Sequence, residues 1–470
     1  VTSGDDQADK KKKIAVIGMA CHFPKSENIQ GFWEKIVNGI DCISEIPSSR
    51  WDWREYYSDS HCKGKTISRW GGFIDNIELF DPGFFNISEN DAIYLDPLVR
   101  QFLEVTAETF DDAGYTREEI AGRKISVIAG ARSGPFSEKY HTDSAHSITG
   151  MGQNFIVAHV AQFLDLKGPA FTVDSACSSS LMSIHLGCRS ILNGEAEMAV
   201  VGGTEILLDE KPYILLSSAK ALSPDGKCYT FDERANGFVP GEGCGAVLLK
   251  EYESAVRDGD KIYAVIEASA ANNDGKTMGI TTPNLKAQKE MILTALDRAD
   301  IDPSTIGYVE THGTGTMIGD PIELKALSEV YSSFCDKKRY CAVGSVKTNI
   351  GHLMSAAGVS GLIKTALAIH NRIIPPTLNC ITPNPRFRFD DSPFYVADKA
   401  EKWDSDRRAA ISSFGFGGTN VHMILSSAPD GYIPRRCALR QIAYNKKRYW
   451  PEQGRIERSP ADRMLRIHKV

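Results

Sequence analysis

Three residues far apart in the chain carry reactive side chains in settings suited to catalysis: Cys177, His312 and His352. Cys177 lies in Asp174-Ser-Ala-Cys-Ser-Ser-Ser180, directly before an apolar run at helical spacing. At the first turn of a helix a thiolate is stabilised by the positive end of the macrodipole, and nearby histidines can lower the thiol pKa further. A free cysteine taken alone is more often a small buried hydrophobe, so Cys177 stands out only through its neighbours. His312 sits in Glu310-Thr-His-Gly-Thr-Gly-Thr316, a loop where backbone can approach a ligand and hydroxyls can bond it. His352 closes Lys347-Thr-Asn-Ile-Gly-His352. One thiol and two imidazoles at strand-to-helix transitions suit a reaction that makes a thioester and loses a carboxylate.

These residues need rigid elements to bring them together. Short β-branched runs read as buried strands: Ile14 to Gly18, Ile125 to Gly130, Met198 to Gly203, Ile262 to Ile266, Ile306 to Glu310, Ala342 to Val346 and Ala409 to Ser413. Helical stretches separate most of them, which predicts an α/β architecture. After Cys177, residues Leu181, Ile184, His185, Cys188, Ile191 and Leu192 share one helical face. After His352, the small-residue run through Ala356, Ala357, Leu362, Ile363, Ala366 and Leu367 predicts a helix able to pack closely. Both units read as strand, loop and helix, which suggests an internal duplication. The run Ser412-Ser-Phe-Gly-Phe-Gly-Gly-Thr-Asn420 could gate a pocket, offer an amide to an oxyanion, or form an ordinary turn over a core aromatic.

Composition narrows the class. The chain has 470 residues with 42% hydrophobic and 24% charged residues and a net charge of -6, which points to neither a nucleic-acid nor a membrane partner. No apolar run approaches the roughly 20 residues that cross a bilayer, and the polar start lacks a secretory pattern, so a cytoplasmic setting is expected. The 11 cysteines are odd in number and scattered, which favours reduced thiols, and no Cys-x-x-Cys pair points to a metal. Residues 1–12 read as a charged linker. Residues 426–470 read as a basic segment packed on the body, anchored by Tyr449-Trp450-Pro451 and including Arg455 and Arg458, with a docking strip for an acidic partner as the alternative.

Taken in order, DSACSSS, HGTGT, GSVKTNIGH and SSFGFGGTN resemble the β-ketoacyl synthase family, in its modular polyketide-synthase form. VIGMACHFP, LSPDGKCYTFDERANGFVPGEG, NNDGKTMGITTPN and GDPIE add to the likeness, which spans about residues 12 to 425. The resemblance implies a thiolase fold of two pseudo-symmetric halves in a five-layer αβαβα sandwich, with residues 13–425 forming the ketosynthase domain, and a homodimer. It implies that Cys177 takes an acyl group from an acyl carrier protein, while His312 and His352 promote decarboxylation of a malonyl-type extender. Backbone amides of Cys177 and Phe416 would hold the oxyanion, within a gating loop that includes Phe414. Lys347, paired with Glu323, would order the site, and Thr314 and Thr316 would hold the phosphopantetheine arm that delivers the substrates. No cofactor of its own is implied, and a trans-acting acyltransferase is expected because no such domain separates the body from the Tyr444 to Trp450 linker motif.

Some positions depart from the family pattern: Ser175, Asp96-Pro-Leu-Val-Arg100 and Met317. They bear on acyl preference rather than on the Cys-His-His set. A thiolase would lack the two histidine loops. A non-elongating gatekeeper commonly lacks the histidine of HGTGT, and a structural partner subunit would have lost the nucleophile.

Overall fold

The computed structural model describes residues 12–140, 147–404 and 406–451. The expected N-terminal linker, apart from Lys12, and the distal cations Arg455 and Arg458 lie outside the described residues. The strands that matter are β1 (Ile14–His22), β2 (Ile125–Gly130), β3 (Ala170–Val173), β4 (Met198–Glu205) and β5 (Gly243–Glu251). The second half supplies β6 (Ala264–Asn273), β7 (Ile306–Glu310), β8 (Cys341–Gly344), β9 (Phe394–Val396), β10 (Arg408–Phe414) and β11 (Thr419–Ser426). The helices around them are α1 (Pro97–Ala113), α2 (Phe155–Leu164), α3 (Ser179–Leu192), α4 (Leu285–Ala299), α5 (Gly319–Tyr331) and α6 (Ala357–Asn371).

Strand pairing repeats itself. In the first half β2 runs parallel to β3 and β4, while β4 and β5, and β5 and β1, pair antiparallel. In the second half β7 runs parallel to β8 and β10, while β10 and β11, and β11 and β6, pair antiparallel. The chain therefore traces one topology twice, with β9 as an extra edge strand beside β8. The two half-sheets join edge to edge where Ile14, Ala15 and Val16 of β1 meet Ile266, Val265 and Ala264 of β6, so that among the described residues they form one eleven-stranded sheet. The expected duplication is thus visible in the topology, where residue identities alone only hinted at it.

Helices α3 and α6 lie between the sheets, contacting each other and strands of both halves. Helices α1 and α2 cover the outer face of the first sheet, and α4 and α5 that of the second. This is the five-layer thiolase sandwich. The apolar face read after Cys177 is the one α3 buries, through Leu181, Ile184, Cys188 and Ile191. At Gly358 of α6, a Cβ would lie 2.6 Å from the Cβ of Leu181, so only glycine lets the two central helices come this close. That contact sets the spacing of the loops at their starts.

The described part of the C-terminal segment lies along the outer face of the first half. Arg436 donates to the carbonyl of Gly114 at 2.7 Å, and Lys446 pairs with the buried Glu104 at 2.8 Å. Lys447 and Arg448 pair antiparallel with Phe80 and Leu79, and the buried Arg100 donates to the carbonyl of Tyr449 at 2.6 Å. Trp450 packs edge-on against Phe136 and Tyr140.

Candidate active site

Cys177 projects from a tight turn between β3 and α3. Ala176 is held at φ +56°, a left-handed conformation unusual for a residue with a side chain. Small hydroxyls fix the turn: Ser179 Oγ accepts from the Ser175 amide at 2.9 Å and donates to the Ala176 carbonyl at 2.6 Å. Asp174 accepts the Ala176 amide at 3.0 Å. Ser413, at the end of β10, donates to the Cys177 carbonyl at 2.9 Å and ties the second half to the nucleophile.

The electrostatics of Cys177 differ from the expectation. Cys177 is 6% exposed, and burial pushes its thiol pKa up to about 11. Lys347 and the Phe416 N–H, directed at the sulfur, work in the opposite direction, as does Arg132, while Glu205 adds to the rise. The histidines supply no positive charge. Burial, followed by the Lys347 charge, drives His312 well below the ordinary imidazole range, and the same two causes act on His352. Both rings are neutral at neutral pH, and Lys347, ahead of Arg132, is the main cation favouring the thiolate.

Each imidazole is held in one tautomer. The Phe414 N–H reaches His312 Nδ1 at 3.4 Å, and the Met354 N–H donates to His352 Nδ1 at 3.2 Å. With Nδ1 accepting, the proton of each ring resides on Nε2. The ring centroids lie 5.5 Å apart at an interplanar angle of 84°. His352 Nε2 is buried without a partner, an N–H available to a ligand atom. Lys347 is the common neighbour of all three reactive groups, acting on Cys177, His312 and His352 alike.

The expected pairing of Lys347 with Glu323 is indirect. Glu323 uses its two oxygens to accept the amides of His312 at 2.7 Å and Gly313 at 2.9 Å, and burial raises its pKa to about 8. It therefore braces the His312 loop, and its field reaches Lys347 only after that of Glu310. Thr314 and Thr316 face each other, Oγ1 to Oγ1 at 3.1 Å, in the same loop. Phe414 packs against His312 with centroids 5.4 Å apart, and Phe416 at the loop tip is 49% exposed. Among the described residues, no three His, Cys, Asp or Glu side chains gather as metal ligands.

The chain matches the β-ketoacyl synthase N-terminal domain family over residues 11–255, the C-terminal domain family over 263–381, and the ketoacyl-synthetase C-terminal extension over 383–467. It belongs to the β-ketoacyl synthase family. Among solved structures, this ketosynthase resembles that from module 6 of the bacillaene synthase of Bacillus subtilis, with 42% identity and a TM-score of 0.85. That match covers 89% of this chain and 72% of the other. The Streptomyces albus oxazolomycin ketosynthase domain matches at 36% identity and a TM-score of 0.85, covering 89% and 75%. Polyketide synthase PksM of Bacillus subtilis is 43% identical over 90% of this chain, which spans 10% of PksM. A phenolphthiocerol/phthiocerol synthase subunit of Mycobacterium tuberculosis is 42% identical over 89% of this chain, which spans 23% of that protein.

Several residues of this ketosynthase site were not singled out from sequence. Arg132, just beyond β2, pairs with Glu205 at 2.6 Å, and both act on Cys177. Glu205 also accepts the Ser355 amide at 3.3 Å, linking β4 to the turn after His352. The signal was available only as a buried acid ending the glycine-rich run Met198 to Glu205. An apolar wall of Leu207, Phe238, Val239 and Met354 adjoins Cys177 and is contributed by loops far apart in sequence.

Proposed function

We propose that this ketosynthase self-acylates on Cys177 from an acyl carrier protein and performs decarboxylative Claisen condensation with a malonyl-type extender. The Cys177 sulfur attacks the incoming thioester, and the carrier thiol leaves with a proton. The extender then loses carbon dioxide, and its electron pair becomes an enolate whose oxygen accepts from the Nε2–H groups of His312 and His352. The enolate carbon attacks the acyl-Cys177 carbonyl. The resulting oxyanion is held by the amides of Cys177 and Phe416, and collapse expels the Cys177 thiolate and leaves a β-ketoacyl chain on the carrier. One such donor is worth roughly 3 to 4 kcal/mol.

The single observation carrying this reading is the matched tautomers. Two neutral imidazoles have Nδ1 engaged by backbone amides, so both present Nε2–H donors. Neutral donors stabilise an enolate without protonating it prematurely. Thr314 and Thr316, side by side in the His312 loop, suit the phosphopantetheine arm. Edge strand β3 is paired on one side only and carries Phe171 exposed at 40%, which supports a homodimer closed through that edge. No described helix is long and apolar enough to cross a membrane, in keeping with a cytoplasmic assembly. The likeness to PksM and to the bacillaene ketosynthase supports service by a trans-acting acyltransferase.

Intact mass spectrometry of the chain with acyl-thioester and malonyl-carrier protein tests the proposal. Acylation at Cys177, release of carbon dioxide and a carrier-bound β-ketoacyl product are expected. Acylation without elongation under any extender would instead assign a gatekeeping role.

A further inference from the structure

Glu310 takes no part in the reaction as written, yet its backbone leads into the His312 loop while its carboxylate holds the loop that carries Lys347 and His352. It ends β7, two residues before His312, and is 1% exposed. Strands β7 and β8 lie side by side there, with Glu310 opposite Gly344. Its Oε1 accepts the Val346 amide at 2.6 Å, immediately before Lys347. Its Oε2 accepts the Tyr308 hydroxyl at 2.5 Å and pairs at 2.8 Å with Lys364, a fully buried lysine of α6. A Cβ at Gly361 would press on Glu310 Cγ at 3.2 Å, so glycine leaves room for the carboxylate beside α6.

We propose that Glu310 is a positioning residue of the condensing site: at the end of β7, where the chain enters the His312 loop, it anchors the Lys347 loop through the Val346 amide and so holds the two loops in register. Glu323 braces the His312 loop alone, through the His312 and Gly313 amides. Among the groups acting on Lys347, Glu310 is the strongest anionic influence, ahead of Glu323, Cys177 and Cys228, while burial works against the charge. Lys347 in turn favours the Cys177 thiolate. The chain of influence runs from Glu310 through Lys347 to the nucleophile. Lys364 balances the buried carboxylate, since an unpaired charge at this depth would be strongly destabilising. The inference rests on the condensing reading for its kinetic consequence, and on geometry alone for its effect on the thiol.

Two variants separate the clamp from the charge. Glu310→Gln combined with Lys364→Met retains an oxygen for the Val346 amide and removes both buried charges together. The Lys347 ammonium should then lose its proton at lower pH, and the pH midpoint for iodoacetamide alkylation of Cys177 should rise by about one unit. Relative to the unmodified protein, condensation should fall further as pH rises, by up to about tenfold, one pKa unit being a factor of ten. Glu310→Asp keeps the charge but draws it back from Val346. Its alkylation midpoint should hold, while condensation kcat drops about tenfold or more with KM unchanged, as expected when a reacting group is misplaced.

Unaltered alkylation and condensation profiles in a folded double variant, or unaltered kcat in Glu310→Asp, would overturn the proposal. If the double variant does not fold, Glu310→Asp decides alone. A protein that never condenses but shows the shifted alkylation midpoint would refute the condensing reading and leave the Glu310 assignment standing.

Discussion

Substituting Gly415→Ala tests whether the gating loop delivers the Phe416 N–H to the nucleophile. A Cβ at Gly415 would lie 2.1 Å from the Ser175 carbonyl oxygen and 2.9 Å from Ser178 Oγ, both in the turn that presents Cys177. Real Cβ contacts essentially never fall below 3.0 Å, so loop and turn must part by at least 3.0 minus 2.1, or 0.9 Å. The turn is braced by Ser179, Ser178 and Asp174, whereas the loop tip is open, with Gly417 exposed and Phe416 49% exposed. The loop therefore yields, and the Phe416 amide withdraws from Cys177. A displacement near 1 Å, or the loss of one oxyanion donor, lowers a rate by about 10²- to 10³-fold. Stopped-time intact mass measurement of Cys177 acylation should show that fall, while the thermal midpoint of unfolding changes by no more than about 3 °C because no core contact is lost. Acylation within threefold of the unmodified rate would refute the argument.

The other expectations are independent of that loop. Replacing His352 by Ala removes a buried Nε2–H donor, so carbon dioxide release from malonyl-carrier protein should fall by about 10²- to 10³-fold while Cys177 acylation stays within about tenfold; equal losses in both steps would contradict the assigned division. For His22, burial disfavours the charge, but the Glu108 charge and hydrogen bond, with Glu104 and Gln101, outweigh it and raise the pKa to about 9. Because the folded value exceeds the unfolded one, His22 stabilises fully below about pH 6.5, and that contribution of at most about 3 kcal/mol is lost as pH rises towards 9. Denaturant titration of His22→Gln should show that this slope has gone. Trp450→Ala should destabilise the fold by about 2 kcal/mol, measured the same way, because the indole packs on Phe136 and Tyr140 and donates to the Tyr140 hydroxyl at 3.0 Å.

Much of the scaffold was legible because its signals are local. Runs such as Ile125 to Gly130 and Ile306 to Glu310 are strands with those bounds, since buried parallel strands are rich in apolar and β-branched residues. The helical faces after Cys177 and His352 were readable from spacing alone. Strands such as Gly243–Glu251 and Thr419–Ser426 were not, because glycine or polar residues interrupt their apolar pattern and pairing partners define them.

The sequence by itself determined which chemical groups are present and the order of the loops that bear them: one thiol, two imidazoles, one lysine and a glycine-rich gate. Protonation states and partners were decided by the tertiary structure. Burial sets the Cys177 thiol high and both histidines neutral, backbone amides from Phe414 and Met354 choose the tautomers, and Glu323 bonds the His312 loop rather than Lys347. The physical reason is range. A propensity is written within a few neighbouring residues, but a desolvation penalty or a hydrogen bond depends on atoms brought close from elsewhere in the chain.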